Sequence, residues 1–503
     1  MLLVADGLQR LPVQLLDWQL HIRSATQSGS VLYRRGKLTA SDNIEVDYLV
    51  VGSGAMGLAF ADTIISETNA TVALVDKHDR PGGHWNDAYP FVRLHQPSAF
   101  YGVSSRRLGN NAKDKAGFNK GLFELASGSE VCTYFDQVMN RQLLPTGRVK
   151  YFPMSEYLGE KQFRSLVTGA VTKVNATKVV DATYMNVQVP STRAPKYAVS
   201  QDSHCIPLND LPRTPAPTDG YVVIGAGKTG IDACLWLLQR GVAPGRIRWI
   251  MPRDSWYLNR RNIQPGKEFL EDTLGGQMLN LKATAQAHSV PELFDELNRT
   301  GQLLRLSEEH RPTMYRCATV TETELEALRS IDNVIRMGRV TSIEADQIVL
   351  EEGSIKTNKD TLHIDCTADG LAQRPPVPVF NGESITLQAV RTCQQVFSAA
   401  FIGYLEHACA NDEEKNQLCT PVPHPDTDID WLRSSLASTL NGIAWSQNPG
   451  VEEWLSGNRL NFMAHFSDKN NSSAEQLRAV AMQSAELTLP AITRMEELLA
   501  LSE

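Results

Sequence analysis

Two segments of the chain repeat one local pattern: an apolar strand, a G-x-G-x-x-G turn and a helix that is apolar on one face. In such a turn the first glycine permits a sharp bend, the second lets backbone N–H groups approach a pyrophosphate, and the third lets the helix pack closely on the strand. One motif is weak evidence, but two in this setting predict two dinucleotide-binding sites. A glycine-rich turn without a ligand is the alternative at each. The glycines are Gly52, Gly54 and Gly57 in the first segment and Gly225, Gly227 and Gly230 in the second.

The strand that follows each motif ends differently, and the difference predicts which dinucleotide each site takes. After the first motif the next strand leads into Asp76, whose carboxylate can accept hydrogen bonds from ribose hydroxyls. After the second motif the next strand ends without an acid and Arg253 follows, which suits a ribose 2′-phosphate. We therefore expect FAD at the first site and NADPH at the second, where Lys228 and Thr229 lie inside the turn. A solvent-exposed loop position is the alternative for Arg253.

Two further segments, residues 174–183 and 358–367, are short β-rich stretches that each end in Asp-small-Thr. Each follows one glycine motif along the chain, so the order predicts an α/β protein in which one Rossmann-like domain is inserted into another. Beyond residue 388 the pattern becomes helical. The predicted parts are an N-terminal extension at 1–44, an FAD domain at 45–215 and 346–405, an NADPH domain at 216–345, and a helical C-terminal region at 406–503.

The composition is that of a globular protein and excludes several classes of function. With 49 Lys+Arg against 57 Asp+Glu the net charge is −8, which gives no basic surface for nucleic acid or an anionic membrane. No stretch reaches about 18 consecutive apolar residues, so we expect no membrane span. The first residues lack the basic and apolar regions of a secretory signal, so we expect a cytoplasmic protein.

The eight cysteines are scattered, and none lies closer than ten residues to the next. This spacing excludes a C-x-x-C zinc knuckle and predicts that there is no paired redox dithiol. Because no grouping of His, Cys, Asp or Glu has metal-ligand spacing, we also expect no metal site. Scattered, reduced thiols agree with a cytoplasmic location.

The chain resembles the NADPH-dependent flavoprotein monooxygenases, the family that includes flavin-containing and Baeyer–Villiger monooxygenases. Between the two glycine motifs, Gly82, Gly83 and Trp85 match a Gly-Gly-x-Trp segment that runs along the cofactor in that family. The Tyr-Pro stretch that follows is similar to the family's segment leading toward the flavin ring. The resemblance spans about residues 45–375 and lacks the F-x-G-x-x-x-H-x-x-x-W/Y signature, so it leaves the substrate open.

Two dinucleotide sites without a dithiol predict that NADPH reduces FAD and that the reduced flavin then meets O2. The resemblance implies a monooxygenase that transfers one oxygen atom to a small organic substrate through a flavin peroxide. The candidates for catalysis are Arg93, which could stabilise negative charge, and His95 and Gln96, which could hydrogen-bond the flavin or move a proton. A structural ion pair is the alternative for Arg93, and a buried histidine with satisfied hydrogen bonds is the alternative for His95.

Two other functions stay open at this point. One is another two-cofactor flavoenzyme, such as a single-component flavin-dependent halogenase or an NADPH oxidoreductase with an organic acceptor. The other is a non-catalytic flavoprotein that acts as a sensor or scaffold, although the intact glycines at both sites argue against it. The C-terminal helices are expected to cover the substrate pocket or to form the contact of a homodimer.

Overall fold

Both strand–glycine–helix segments are present in the fold, for which we use a computed structural model. The structure describes residues 44–368, 370–466 and 474–502. Apart from Ile44, the predicted N-terminal extension at 1–44 lies outside the described residues. In chain order the helices are α1 (Ala55–Glu67), α2 (Gly128–Val138), α3 (Lys228–Gln239), α4 (Gly276–Gln286), α5 (Val290–Arg299), α6 (Glu322–Arg329), α7 (Gln395–Ala408), α8 (Asp412–Leu418), α9 (Asp428–Ser446), α10 (Pro449–Gly457) and α11 (Ala474–Ala500).

The strands of the described residues form several sheets. In chain order they are β1 (Ile44–Val51), β2 (Val72–Val75), β3 (Gly102–Val103), β4 (Arg106–Arg107), β5 (Val149–Phe152), β6 (Ser155–Gly159), β7 (Gln162–Ser165), β8 (Val171–Asp181), β9 (Ala198–Val199), β10 (His204–Pro207), β11 (Gly220–Ile224), β12 (Ile247–Ile250), β13 (Ser255–Asn259), β14 (Leu303–Leu304), β15 (Met314–Val320), β16 (Val334–Ile335), β17 (Val340–Ile343), β18 (Gln347–Leu350), β19 (Gly353–Lys356), β20 (Thr361–Asp365), β21 (Phe380–Asn381) and β22 (Ser384–Thr386).

The first sheet is built around β1, which leads into the first glycine motif. β1 pairs in parallel with β2 on one side and with β8 on the other. Leu49 and Val50 point to opposite faces of β1, and both are fully buried in separate cores, as expected for a strand covered on both faces. β5 extends the sheet beyond β2, and the β21–β22 hairpin extends it beyond β8.

The second sheet has the order β10-β20-β11-β12-β16 and is parallel throughout. β11 leads into the second glycine motif, and α3 follows it. The sequence-based boundaries assign β10 and β20 to the FAD domain, but both strands pair within the second sheet, so those boundaries are displaced. The first sheet takes strands from both sides of this segment, because β21 and β22 follow β20 in the chain.

Helices α1 and α7 pack side by side in the core of the first sheet and run in the same direction. Near their C-terminal ends, Nε2 of His407 lies 2.9 Å from Oε2 of Glu67. Earlier in both helices, a Cβ added to Gly403 would lie 3.2 Å from Cβ of Thr63. The N-termini of the two helices therefore point toward the same end of the sheet, where the first glycine motif lies.

The C-terminal region is helical, as predicted, and part of it packs on α4 and α5. Phe294 of α5, Leu432 of α9 and Met495 of α11 belong to one buried cluster. Within the described ranges, no helix is both long and apolar enough to cross a membrane.

Candidate cofactor-binding site

Backbone geometry requires the first and third glycines of each motif. Gly52 has a φ of +101° and Gly225 a φ of +126°, a region in which other residues are strained. A Cβ added to Gly57 would lie 2.0 Å from the carbonyl oxygen of Gly52, and one added to Gly230 would lie 2.0 Å from that of Gly225. Each helix therefore packs so closely on its strand that only glycine fits, which is the arrangement that the motif predicts.

The middle glycine of each motif leaves its backbone accessible, as the approach of a ligand requires. Among the described residues, a Cβ on Gly227 would meet nothing within 4 Å. A Cβ on Gly54 would meet only the backbone of Gly83, whose Cα would be 3.5 Å away. Gly83 packs on Gly54 so closely that its own Cβ would lie 2.9 Å from Gly54 Cα, and Gly82 before it has a φ of +129°. The predicted Gly-Gly-x-Trp segment therefore lies directly against the first motif.

Asp76 follows β2 beside the first motif, and its carboxylate is buried. One oxygen accepts hydrogen bonds from Ser53, with 2.5 Å to the backbone N and 2.9 Å to Oγ. The other accepts from the backbone N of His78 at 2.8 Å and lies 2.9 Å from its Nδ1. Burial alone would raise the pKa of Asp76, but the hydrogen bonds from His78 and Ser53 outweigh it and lower the pKa below its ordinary value. Asp76 is therefore an ionised hydrogen-bond acceptor at neutral pH, the state that suits a ribose hydroxyl.

Arg253 lies just beyond β12 and is held in an ion pair with Asp426. Its Nη2 is 2.7 Å from Oδ1 of Asp426, and Nε of Arg316 contacts the same oxygen at 2.5 Å. Burial opposes ionisation of Asp426, but the two guanidinium groups outweigh it and lower the pKa of that carboxyl. Arg253 is therefore neither a free loop arginine nor an unpaired cation, and its contact with a 2′-phosphate stays a prediction.

Lys228, inside the second motif, forms an ion pair with Asp232 one turn further along α3. Asp232 also accepts a hydrogen bond from Oη of Tyr89 at 2.5 Å. Burial and the nearby Asp232 carboxylate hold the pKa of Tyr89 well above its usual range, so the phenol keeps its proton. Tyr89 belongs to the Tyr-Pro stretch, so this network joins that stretch to the second motif. Thr229 is partly exposed beside Lys228.

His95 follows Tyr89 in the chain and lies near Lys228 of the second motif and near Arg260. Its backbone carbonyl accepts a hydrogen bond from Nε of Arg260 at 2.9 Å. Burial, with the neighbouring cations Lys228 and Arg260, holds the pKa of His95 well below its usual range. The imidazole is therefore neutral at pH 7 and can accept a hydrogen bond at its unprotonated ring nitrogen, whereas a role in moving a proton stays a prediction. Gln96 is partly exposed beside it.

Arg93 and Trp85 have partners of their own. The Arg93 side chain is about half exposed, with Nε 3.0 Å from the Leu125 carbonyl and Nη2 3.3 Å from Asp114. This is the structural ion pair that the sequence leaves open, and a catalytic role for Arg93 stays a prediction. Trp85 donates from Nε1 to Oη of Tyr101 at 2.7 Å and packs against the cores of both sheets. Trp85 therefore lies between the cores of the two sheets and packs against both.

Sequence reasoning missed the polar side chains at the N-terminal end of α7. Within the described part of the chain, Oε1 of Gln394 and both amide atoms of Gln395 are buried without a hydrogen-bond partner. The nearby Arg391 guanidinium lies 3.9 Å from the centre of the Phe397 ring, and burial lowers the pKa of Arg391 to about 9. Buried unsatisfied polar groups are rare, so these amides are candidates to contact a ligand. No short motif marks them, since only the three-dimensional pairing of α7 with α1 brings them to this end of the sheet.

One exclusion made from cysteine spacing, that of a paired dithiol, is wrong for the folded chain. Cys317 and Cys393 are separated by 76 residues, yet they pair as a disulfide with Cα atoms 6.6 Å apart. Their sulfurs and a ring nitrogen of His424 also form a group that could hold a metal ion. Burial, together with the Arg316 cation, lowers the pKa of His424 to about 4, so its imidazole is neutral at pH 7. Sequence spacing could not reveal this group, because its members come from three distant segments.

Comparison with known proteins gives a match to one family model and to solved structures of low sequence identity. A family model described as an NAD(P)-binding Rossmann-like domain matches residues 50–102. An oxidized steroid monooxygenase bound to NADP is 12% identical, with 90% of this chain and 98% of that chain covered and a TM-score of 0.43. Cyclohexanone monooxygenase from Rhodococcus sp. Phi1 bound to NADP+ is 13% identical, with 82% and 89% covered and a TM-score of 0.44.

Two mycobacterial proteins are much more similar in sequence. The uncharacterized protein Rv2000 of Mycobacterium tuberculosis (strain ATCC 25618 / H37Rv) and the uncharacterized protein Mb2023 of Mycobacterium bovis (strain ATCC BAA-935 / AF2122/97) are each 49% identical over 490 residues. The alignments cover 92% of this chain and 91% of each relative. The chain therefore belongs to the family of these mycobacterial proteins, and its first sheet carries the Rossmann-like nucleotide-binding fold.

Proposed function

We propose that this protein is an FAD-dependent monooxygenase that uses NADPH and O2 to transfer one oxygen atom to a small organic substrate. The observation that carries the proposal is the presence, in one chain, of two equivalent glycine turns, each following a strand that pairs in parallel with both of its neighbours. In both turns the third glycine packs against the carbonyl of the first, and the middle glycine is open to an approaching ligand. An enzyme with two such sites can pass a hydride from one dinucleotide to the other.

The first turn and its surroundings fit FAD. The turn at Gly52, Gly54 and Gly57 would hold the pyrophosphate through backbone N–H groups at the start of α1, since the N–H of Gly52 already donates to the Val75 carbonyl at 2.8 Å. The ionised Asp76 would accept from a ribose hydroxyl in place of Oγ of Ser53. Gly82, Gly83 and Trp85 lie along the same edge. The N-termini of α1 and α7 point to this end of the sheet and favour negative charge there. The unsatisfied amides at the start of α7 support a polar ligand next to them.

The second turn fits NADPH. The backbone at Gly225, Gly227 and Gly230 would hold its pyrophosphate, with Lys228 and Thr229 at the start of α3. Arg253 would contact the 2′-phosphate, which would then compete with Asp426 for the guanidinium. When both cofactors are bound, FAD supplies the redox chemistry, taking electrons from NADPH and delivering them to O2.

The chain's own residues would position the reactants and control protons and water. His95 is neutral because burial, Lys228 and Arg260 disfavour its protonation, so it can accept a hydrogen bond from a bound group close to the second motif. Gln96 beside it can hydrogen-bond a bound group. Trp85, fixed by Tyr101, would separate the two cofactors' surroundings from bulk water. We assign the substrate only to the class of small organic molecules with a heteroatom or a carbonyl group.

The test combines flavin content with NADPH-driven oxygen uptake. The purified protein should be yellow, should hold one FAD per chain, and should consume O2 when NADPH is added. Gly54→Leu should give colourless protein, because its Cβ would lie 3.5 Å from Gly83 Cα and the rest of the side chain would displace the Gly-Gly-x-Trp segment or fill the space that a pyrophosphate needs. Gly442→Leu is the matched control, since a Cβ at Gly442 in α9 meets nothing within 4 Å of the described chain. Full flavin content in Gly54→Leu would contradict the site, and a reduced enzyme inert to O2 would contradict the reaction.

We propose a cytoplasmic location, which is supported by the six free thiols of the described chain, where Cys317 and Cys393 form the one disulfide. A homodimer stays a prediction.

A further inference from the structure

We propose that Cys317, Cys393 and His424 form a binding site for a thiophilic divalent metal ion such as Zn2+. The two sulfurs and a ring nitrogen of His424 all lie within 4.8 Å of one another. Zn–S bonds of about 2.3 Å and Zn–N bonds of about 2.0 Å place the ligand atoms of one ion roughly 4 Å apart. The two sulfurs are bonded to each other in the structure, so they reach that separation only after the disulfide is reduced. Two sulfurs and an imidazole are the donor set that zinc prefers. This site is independent of the proposed monooxygenase activity.

Hydrogen bonds hold the three segments together without help from a bond between the sulfurs. Tyr315, two residues before the first cysteine, donates from its backbone N to the carbonyl of Asp426 at 3.0 Å, two residues after the histidine. Ser434 of α9 connects the segment of Cys393 to the segment of His424. Its Oγ donates to the Pro423 carbonyl at 2.7 Å, and its carbonyl accepts from Oγ1 of Thr392 at 3.3 Å. The ligands are therefore held in place in advance, as a metal site requires.

His424 and the backbone of the two cysteines indicate a ligand beyond a simple disulfide. Nδ1 of His424 is buried and has no hydrogen-bond partner in the described ranges. A disulfide leaves that imidazole without a role, whereas a metal ion would accept a ring nitrogen as a ligand. Both cysteines also have positive φ, +54° for Cys317 and +56° for Cys393. Such conformations are uncommon outside glycine and are concentrated at functional sites.

The disulfide and the metal site are two states of one cluster. Reduction by a phosphine or thiol reductant breaks the S–S bond, adds two electrons and two protons, and yields two thiols. A metal ion then releases those two protons to solvent and forms two sulfur–metal bonds, while the imidazole supplies a lone pair. All three side chains are partly exposed, so water can reach a fourth position on the ion. The site therefore takes up metal only when the pair is reduced.

Metal titration of the reduced full-length protein tests the site. After treatment with a phosphine reductant and removal of metals, Co2+ should bind one ion per chain and give thiolate-to-cobalt charge-transfer absorption. Zn2+ should displace it, and elemental analysis should find one zinc per chain. Bound zinc should also protect two of the eight cysteines from alkylation, and peptide mass spectrometry should place both at residues 317 and 393. This last measurement uses the native chain and does not depend on any variant folding.

Variants identify the ligands. Cys317→Ser and His424→Ala should each weaken zinc binding by at least about tenfold. Cys409→Ser is the matched control, because Cys409 is a free, partly buried thiol outside the cluster. A reduced native protein that binds neither Co2+ nor Zn2+ would overturn the proposal. So would a His424→Ala variant that is folded by circular dichroism and binds zinc as tightly as the native chain.

Discussion

At the scale of single residues, the second and third glycines of a motif differ in the space around them, and this difference predicts different effects of one methyl group. Gly230→Ala should lower the free energy of unfolding by about 1–3 kcal/mol, because its Cβ would lie 2.0 Å from the Gly225 carbonyl oxygen. Gly227→Ala should leave stability almost unchanged, since its Cβ meets nothing within 4 Å of the described chain, but should weaken NADPH binding. Urea unfolding and NADPH titration of both variants check this. Equal unfolding midpoints would contradict it.

Arg253 gives the second residue-scale prediction, which concerns the choice of nucleotide. If the proposed function holds, the native protein should prefer NADPH to NADH. Arg253→Ala should raise the KM for NADPH about tenfold with little change for NADH, because only the 2′-phosphate loses a charge-assisted hydrogen bond, worth about 1.5–3 kcal/mol. Arg240→Ala is the control, since that guanidinium lies over the Trp236 ring at the end of α3. Equal use of NADPH and NADH by the native protein would rule out this role of Arg253.

At the scale of secondary-structure elements, His78 connects the end of β2 to the turn that carries the Gly-Gly-x-Trp segment. Its Nδ1 lies 2.9 Å from Asp76 and its Nε2 lies 2.9 Å from Asp87. The hydrogen bond to Asp76 raises the pKa of His78, against burial and with the help of Asp87, whereas the pKa of Asp76 is lowered. The contribution of His78 to the stability of the fold is therefore complete below pH 6.5, its ordinary pKa, and is lost as the pH rises through the raised pKa. The contribution of Asp76 to stability is complete above pH 3.8, its ordinary pKa, and is lost as the pH falls through the lowered pKa.

His78→Asn should consequently destabilise the protein most between these limits. At about pH 6 the loss should be about 1.5–3 kcal/mol, because the bridging hydrogen bonds are charge-assisted, and at about pH 9 it should be clearly smaller. Denaturant unfolding at both pH values measures the difference. The exposed His288, changed to Asn in the same way, provides the control and should show no such pH dependence. A loss for His78→Asn that is the same at both pH values would mean that the imidazolium does not bridge the carboxylates.

The elements also show what a sequence can and cannot predict. The two glycine turns, α9 and α11 were predictable because each depends on a local pattern, the spacing of glycines or the period of apolar residues. β8 and β20 have the same Asp-small-Thr ending, yet β8 pairs in the first sheet and β20 in the second. An apolar run specifies a buried strand but not its neighbour, so the predicted domain boundaries were displaced. The cysteine pair and the amides of α7 depend on contacts between distant segments, which no local pattern encodes.

At the scale of the whole molecule, polar side chains connect the two sheets, and no strand of the described residues pairs in both. Tyr89 reaches Asp232 of α3 from the segment that follows the first motif. From the other direction, Oε1 of Gln264 accepts a hydrogen bond from the backbone N of Phe123 at 2.8 Å. These contacts, all with buried or partly buried groups, fix how the second motif faces the segment that carries His95. Coupling between the proposed cofactor sites therefore depends on a few polar links as well as on apolar packing.

Arg260 makes several of these polar contacts, and comparing its removal with that of the exposed Arg261 should show how much a buried link contributes to stability. It is buried, donates to the carbonyls of His95 and Thr319 at 2.9 and 3.0 Å, and lies 2.9 Å from Glu324. Arg260→Ala should lower the free energy of unfolding by about 3–5 kcal/mol, because it leaves a mostly buried carboxylate unpaired. The neighbouring Arg261 is more than half exposed and pairs with Asp272, so Arg261→Ala should cost less than about 1 kcal/mol. Urea unfolding of the two variants side by side measures both values. If Arg260→Ala proved no less stable than Arg261→Ala, Arg260 would not be one of the polar links that stabilise the fold.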